Sequence, residues 1–544
     1  MSNKEWWRGC VIYQIYPRSF MDVDGNGIGD LRGVAERLDH IAALGADAIW
    51  LSPFFKSPMK DFGYDVSDYR DVDPIFGTLE DFRHVLVRAH DLGLKVLIDQ
   101  VWSHSSDQHE WFKESRKSCD NPKHDWYVWA DPKPDGTAPN NWLSYFGGPA
   151  WTWDAGRQQY YLHHFLPSQP AINQWNPKVR EEIKDIAAYW LDMGVDGFRL
   201  DVAHGFLYDP EKRDNPPRDI SKSPPSDVPL SNPMSRQERI YSMNIPQNLN
   251  WIEEIRTFVN RWDDKCLLAE AGGDDSERVA ATYVQTQGRF HLAYSFGLVG
   301  SNMTHADIFT AVTKVENLIE DGWMCWSVSN HDFKRVASRL IGTAALRDKA
   351  LFATTLGLCL RGSYCLYQGE ELGLPQADLE FEDLVDPYDI MLYPEHVGRD
   401  GCRTPMPWSS EGNHAGFSTA PKTWLPIPSP HKGLAVDVQT KDEDSVLNKF
   451  KRFLAWRKEN PALVTGGFDM LPTEDPVFAF RRYSEAEENE LYCFFNCSSH
   501  RQEIELGNKI DPLCFVESQS NHSYIEDGKL KLRAFGYAFF VAHK

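Results

Sequence analysis

The chain has 544 residues, 42% of them hydrophobic, so it is long enough for more than one domain and apolar enough for a large core. Its 57 Lys and Arg against 79 Asp and Glu leave a formal net charge of -22, which argues against nucleic acid or an anionic membrane as partner and for a neutral or cationic small molecule. No apolar run approaches the roughly 20 residues of a membrane span, and the opening Met1-Ser-Asn-Lys-Glu-Trp-Trp7 has no signal-peptide core, so a soluble, cytoplasmic protein is expected.

The first apolar run, 10–17, reads as a strand. Close behind it comes Asp22-Val-Asp-Gly-Asn-Gly-Ile-Gly-Asp30. Oxygen-bearing side chains at Asp22, Asp24, Asn26 and Asp30, with the carbonyl of Ile28 and glycines that permit a tight wrap, suit a hard divalent cation. Calcium is the first choice and magnesium the second, with a metal-free Asx-rich turn as the alternative. The pattern matches the first half of an EF-hand loop but lacks the distal Glu.

Helical periodicity over 34–44 stops at Gly45, a strand is read at 46–53, a helix at 79–92 stops before Gly93, and a strand follows at 95–101. Glycine suits these stops because it accepts the left-handed cap conformation. Residues 104–173, rich in Trp, Pro, Asp and Asn, are too long for an ordinary connection and read as an inserted subdomain. A helix at 179–193 before Gly194 leads to a strand at 197–202, and a second insertion occupies 205–247. Its Pro-rich stretch 209–233 reads as either a lid or a disordered surface loop.

A helix at 251–262, strands at 266–271, 291–296 and 325–330, a helix at 346–360 and a strand at 363–369 bring the strands to eight, alternating with helices. This predicts the α/β class and a closed parallel (β/α)8 TIM barrel with its function at the carboxyl ends of the strands. After a helix at 444–460, short alternating runs at 477–483 and 490–495 predict a C-terminal antiparallel β-sandwich. The expected units are 1–103 and 174–463 for the barrel, 104–173 for the inserted subdomain and 464–544 for the C-terminal domain. Of ten cysteines, Cys10, Cys266, Cys325 and Cys365 fall in barrel strands, where a free thiol behaves as a small apolar residue. No Cys-x-x-Cys spacing with partner histidines suggests zinc.

Three carboxylates stand where these strands run out: Asp201 after Gly-Phe-Arg-Leu, Glu270 after Cys-Leu-Leu-Ala, and Asp332 after the 325–331 run. Two have a cationic or imidazole neighbour, Arg199 and His331, as an acid/base and nucleophile constellation requires. Such a constellation works with carboxyls in different protonation states. Arg199, two residues before Asp201, points to the same side under period-two alternation and is expected to keep Asp201 ionised. Asp99 reads as a structural rim carboxylate.

The motifs Asp99-Gln-Val-Trp-Ser-His104, Gly197-Phe-Arg-Leu-Asp-Val-Ala-His204, Leu268-Ala-Glu-Ala271 and Ser329-Asn-His-Asp332 stand in an order and spacing that resembles the α-amylase superfamily, glycoside hydrolase family 13. Val11-Ile-Tyr-Gln-Ile-Tyr-Pro-Arg-Ser-Phe20, Gly63-Tyr-Asp-Val-Ser-Asp-Tyr69, Gln169-Pro-Ala-Ile-Asn173 and Gly369-Glu-Glu-Leu-Gly373 are similar to its α-glucosidase and oligo-1,6-glucosidase branch, so the likeness runs through most of the chain.

The resemblance implies a retaining exo-α-glucosidase acting on short α-linked gluco-oligosaccharides, with no organic cofactor, as a monomer or homodimer. By that likeness Asp201 is the nucleophile, Glu270 the general acid and then base, and Asp332 the holder of the sugar hydroxyls at positions 2 and 3, with His331 and His104 as hydrogen-bonding neighbours. Asp61 and Arg399 would close the non-reducing end, Tyr64 would stack on the sugar, and Phe165 would line the wall or else pack under the insertion. Any cation in the 22–30 loop would be structural and remote from the sugar. Val202 after the nucleophile goes with tolerance of α-1,6 bonds in this branch, whereas Ala203, His204 and Ala269 depart from the commoner family residues on the acceptor side. The alternatives are an α-glucosyltransferase or a trehalose- or sucrose-active relative, and more remotely a non-catalytic binding or transporter-associated relative.

Overall fold

The computed structural model describes residues 5–221, 228–394, 398–484, 489–506 and 510–543. Eight strands close into a parallel barrel: β1 (Val11–Ile15), β2 (Ala48–Leu51), β3 (Lys95–Gln100), β4 (Gly197–Leu200), β5 (Cys266–Glu270), β6 (Leu292–Tyr294), β7 (Met324–Trp326) and β8 (Ser363–Tyr367). Each pairs with its sequence neighbours, and β8 returns to β1. Alternate residues face opposite ways, but both faces are covered, which is why the strands read as unbroken apolar runs. Ile12, Trp50, Leu97, Leu268 and Tyr294 fill the interior together with Cys10, Cys266, Cys325 and Cys365. All ten cysteines are free thiols. Gly197 opens β4 at φ +153, where a Cβ would lie 1.8 Å from the Cys266 carbonyl oxygen, so only glycine fits.

The helices start and stop on local chemistry. Leu31–Leu44 begins where Asp30 accepts the Gly33 N–H at 2.7 Å and ends at Gly45, φ +93. Leu79–Asp91 carries a capping box between Thr78 and Asp81, and Pro177–Met193 ends at left-handed Gly194. Asn248–Val259, Leu346–Cys359 and Val446–Lys458 match the other expected helices, while Ser276–Val284 and His305–Leu318 complete the alternation. All eight strands are shorter than expected, and at two of them the reason is local. Beyond β7, Ser327 Oγ donates to the Ser329 carbonyl at 2.6 Å, a local bond that competes with the ladder and releases 329–332 as a loop. Before β6, His291 Nδ1 accepts the Leu267 N–H at 3.0 Å, so a side chain takes the place of a strand partner.

Between β3 and Pro177–Met193 lies a three-stranded antiparallel sheet of Trp129–Ala130, Gln159–Leu162 and Trp151–Asp154, over its own core of Trp142, Trp151, Leu162 and Tyr208. Within the 209–233 stretch, residues 222–227 lie outside the described residues. The described part is tied down: Asn215, Arg218 and Asn232 are buried, Asn215 Nδ2 donates to Ser242 Oγ at 3.0 Å, and Arg218 and Arg239 both pair with Asp274.

The strands expected as a C-terminal sandwich belong to one bonded antiparallel sheet, in which Lys529–His543 pairs with Asn489–Asn496, Gln502–Glu505 and Asn521–Glu526. Its period-two alternation splits two cores. Phe478, Phe480, Phe495 and Phe539 join the barrel's outer core, where Phe495 meets Phe352 of Leu346–Cys359, and Ala479, Phe494, Leu532 and Phe540 form the core of the other face. Among the described residues no helix is long and apolar enough to cross a membrane.

Candidate active site

The parallel register sets Asp99 of β3 opposite Arg199 of β4, and the strand alternation sets Asp201 on the same side as Arg199. One guanidinium therefore serves three carboxylates. Arg199 Nη1 donates to Asp99 at 2.9 and 3.1 Å and to Asp201 at 2.6 Å, and Nη2 donates to Glu270 at 2.5 Å. Arg199 is buried beneath the cavity and lies 4.8 Å from the centre of the Trp50 ring.

Directly after Asp201 the chain turns through Val202 at φ +43, ψ +45, a left-handed conformation that costs a β-branched residue strain. The turn aims the Val202 N–H at Glu270 Oε2, 3.1 Å away. With Arg199 and Val202 both donating to Oε2, Oε1 is the oxygen left to carry a proton.

Burial raises the Asp201 carboxyl well above its usual range, Arg199 opposes that rise, and the neighbouring Glu270 carboxyl, hydrogen-bonded to Asp201, adds to it. Arg199 pulls Asp201 in the expected direction, and burial pulls the other way. Asp99 is also pushed up by burial, to about 6, against the pull of Arg199.

A hydrogen-bonded chain crosses behind this cluster. Gln14 Nε2 lies 2.7 Å from His331 Nδ1, His331 Nε2 lies 2.7 Å from Tyr64 Oη, and Tyr64 Oη donates to Asp99 Oδ2 at 3.2 Å. The amide donor on Nδ1 assigns the His331 proton to Nε2. Burial, with Arg403, Arg199 and Arg399 nearby and Asp332 opposing, lowers His331 to about 3, so the ring is neutral. Tyr64 lies parallel to the His331 ring at 5.4 Å, which fixes its face at the cavity wall.

Asp332 lies six residues past the end of β7 and is held from one side by Arg403 Nη2 at 2.9 Å and Arg399 Nη1 at 3.2 Å. Burial works against its ionisation, but His331, Arg399 and Arg403 together hold it well below the usual carboxylate range. Arg399 also reaches Asp61 at 3.1 Å and grips Asp386 twice, at 2.5 and 2.6 Å. Asp61 takes a further bond from Gln169 at 2.9 Å, and burial raises it to about 6 against the pull of Arg399. His104 Nδ1 lies 2.9 Å from Ser103 Oγ, and burial lowers the ring to about 4.

These groups line one cavity of about 440 Å³, the size of a small-ligand site. Asp61, Tyr64, His104, Phe165, Asp201, Val202, Glu270, His331, Asp332 and Arg399 all face it. Phe165 lies flat against Tyr145 at 5.2 Å and forms part of the wall. Sequence reasoning missed Asp386 and Arg403, and the wall residues Tyr145, Phe146, Phe296, Phe333 and Tyr388. Asp386 had a signal in Asp-Pro: it caps Pro387–Leu392 by accepting the Tyr388 N–H at 3.2 Å. Arg403 had one in its spacing from Arg399, across the single 3-10 turn Asp400–Cys402.

The 22–30 loop folds on itself elsewhere. Asp22 accepts the Gly25 and Gly27 N–H groups at 2.7 Å each, and Asp30 accepts those of Val23 and Asp24 at 2.8 and 3.1 Å. Asn26 Oδ1 accepts the Ile28 N–H at 2.8 Å, and Asp24 is turned out to Arg32. Among the described residues no group of three or more His, Cys, Asp or Glu is placed to hold a metal ion. A cation held by the expected donor set would compete with Arg32 for Asp24.

A family model described as the α-amylase catalytic domain matches residues 14–466. The chain is 48% identical to a "Probable alpha-glucosidase" of Rhizobium meliloti (strain 1021), over 99% of this chain and 97% of that protein. It is 35% identical to an "Oligo-1,6-glucosidase" of Halalkalibacterium halodurans, over 91% of each. Among solved structures, an alpha-glucosyl transfer enzyme, XgtA, superposes with TM-score 0.95 at 46% identity, covering 99% of this chain and 100% of that one. An isomaltulose synthase of Erwinia rhapontici NX5 superposes with TM-score 0.89 at 29% identity, covering 99% of each. Barrel, carboxylate cluster and relatives agree: the chain belongs to the α-amylase family of enzymes, glycoside hydrolase family 13.

Proposed function

We propose that the chain is a retaining exo-α-glucosidase that releases glucose from the non-reducing end of short α-linked oligosaccharides, with α-1,4 and α-1,6 bonds among those accepted. The observation that carries this reading is the Asp201–Arg199–Glu270 cluster at the floor of a cavity in which Asp61, Arg399 and Asp386 are locked together. Asp201 attacks the anomeric carbon while Glu270 gives its proton to the departing oxygen; Glu270 then takes a proton from the water that cleaves the glucosyl–Asp201 bond. Bridging by one guanidinium, Asp201 on Nη1 at 2.6 Å and Glu270 on Nη2 at 2.5 Å, brings the two carboxyls close together, which favours retention over the wider spacing that inversion needs. Asp332, held ionised by two arginines, suits the sugar hydroxyls at positions 2 and 3. The ion-paired Asp61–Arg399 is consistent with a closed end that admits one sugar ring.

The test is glucose release from maltose, isomaltose, nigerose, kojibiose, trehalose, sucrose and soluble starch, with Asp201→Asn as control. Release of α-glucose from several disaccharides but little from starch, abolished in the variant, supports the reading. No hydrolysis by the wild type refutes it.

A second reading, glucosyl transfer, is favoured by the 46% identity to an alpha-glucosyl transfer enzyme and by the apolar wall of Phe296, Phe333, Val228 and Pro229 on the acceptor side, which suits exclusion of water. Transfer products dominating at ordinary substrate concentration would establish it.

A further inference from the structure

The cations around the cavity are of two kinds. Arg399 and Arg403 are matched against Asp332 and Asp386. Lys334 and Arg339 also face the cavity, yet among the described residues neither has a carboxylate within 4 Å. Arg339 is held by carbonyl oxygens: Nε donates to Lys334 at 2.9 Å, Nη1 to Leu298 at 3.2 Å and to Ser301, and Nη2 to Val328. These bonds fix a cation in place without neutralising it. Lys334 is exposed at the mouth.

A run of contacts links this pair to the Glu270 side of the cavity. A Cβ on Gly272, two residues past Glu270, would lie 3.6 Å from Phe296, whose ring is 6.0 Å from that of Phe333; a Cβ on Gly300 would lie 3.3 Å from Phe333. Lys334 follows Phe333 in the chain, and Arg339 binds the carbonyls of Leu298 and Ser301, which flank Gly300. The leaving-group half of a glucoside, which departs past the general acid, would occupy this end.

Resting on the glucosidase reading, we propose that the leaving-group site takes an aglycone bearing an anionic group, a carboxylate or a phosphate monoester, received by Lys334 and Arg339. The net charge of -22 does not oppose this at contact range, because exposed charges beyond a Debye length of about 8 Å at physiological salt are largely screened, whereas an immobile cation in a low-dielectric wall is not.

The experiment compares kcat/KM for 3-carboxyphenyl α-glucoside with that for the neutral 3-carbamoylphenyl α-glucoside. The wild type is expected to prefer the carboxylate about tenfold, with the preference falling in Lys334→Met and reversing in Lys334→Glu. A preference at or below one in the wild type overturns the proposal, as does a preference that both Lys334 variants retain. Hydrolysis of the carbamoyl compound with retention, without preference for the carboxylate, leaves the glucosidase reading standing and this inference refuted; hydrolysis of neither compound removes both.

Discussion

Replacing Arg199 with Met would leave two buried carboxyls, Asp99 and Asp201, and the partly buried Glu270 without the cation they share. The side chain is 4% exposed, and those of Asp99 and Asp201 are 0% and 7% exposed. Coulomb attraction at 4 Å and an effective dielectric of 20 is about 4 kcal/mol per pair, offset in large part by the cost of taking the charges out of water. Removing one partner of a buried pair typically costs about 3–5 kcal/mol. For a chain of 544 residues unfolding cooperatively, the usual unfolding entropy per residue converts this to about 3–4 °C in Tm.

The pH dependence carries the diagnosis. The penalty exists only while the carboxyls are ionised, and Asp99 sits near 6 even with Arg199 present. The Tm gap between wild type and Arg199→Met is therefore largest near pH 8 and closes as the carboxyls take up protons towards pH 4. Activity should fall by at least about a thousandfold, because both working carboxyls lose their common partner. Thermal melts across that pH range, with kcat/KM on an aryl glucoside, measure both effects. A gap independent of pH would mean that Arg199 contributes packing alone, and a gap that widens in acid would refute the electrostatic argument outright.

Asp386→Asn removes the charge that grips Arg399 twice, so KM for glucosides should rise about tenfold or more with a smaller change in kcat; an unchanged KM would show that Asp61 and Asp332 position Arg399 unaided. His331, neutral with a lowered value of about 3, contributes stability that is complete above the unfolded histidine value near 6.5 and is lost as pH falls from there towards 3. His331→Gln should lower the acid slope of unfolding free energy by about 1.4 kcal/mol per pH unit in that window, read from urea midpoints; parallel slopes would contradict it. In the 22–30 loop a divalent cation would compete with Arg32 for Asp24, so millimolar calcium or magnesium should raise the Tm of Arg32→Ala more than that of the wild type, and no response in either protein would remove the loop as a metal site.

What was legible in the chain was whatever local chemistry writes down. The eight strands were visible because a barrel strand is covered on both faces, and the helix stops at Gly45 and Gly194 because left-handed caps favour glycine. Arg199 and Asp201 could be paired from their spacing, since alternate residues of a strand share a face. The motifs also carried the family, and the residues they singled out for the sugar share one cavity with Asp201 and Glu270, with Arg199 beneath it.

Tertiary structure decided the rest, because the remaining partners are distant in sequence and no periodicity links them. Asp99 meets Arg199 through barrel register, Gln14 of β1 meets His331 of the loop beyond β7, and Asp332 meets Arg399 only because the loops beyond β7 and β8 fold over the same cavity. Burial, too, is a property of the closed fold: the rise of Asp201 and the neutrality of His331 follow from water being excluded around groups whose types the sequence states but whose surroundings it does not.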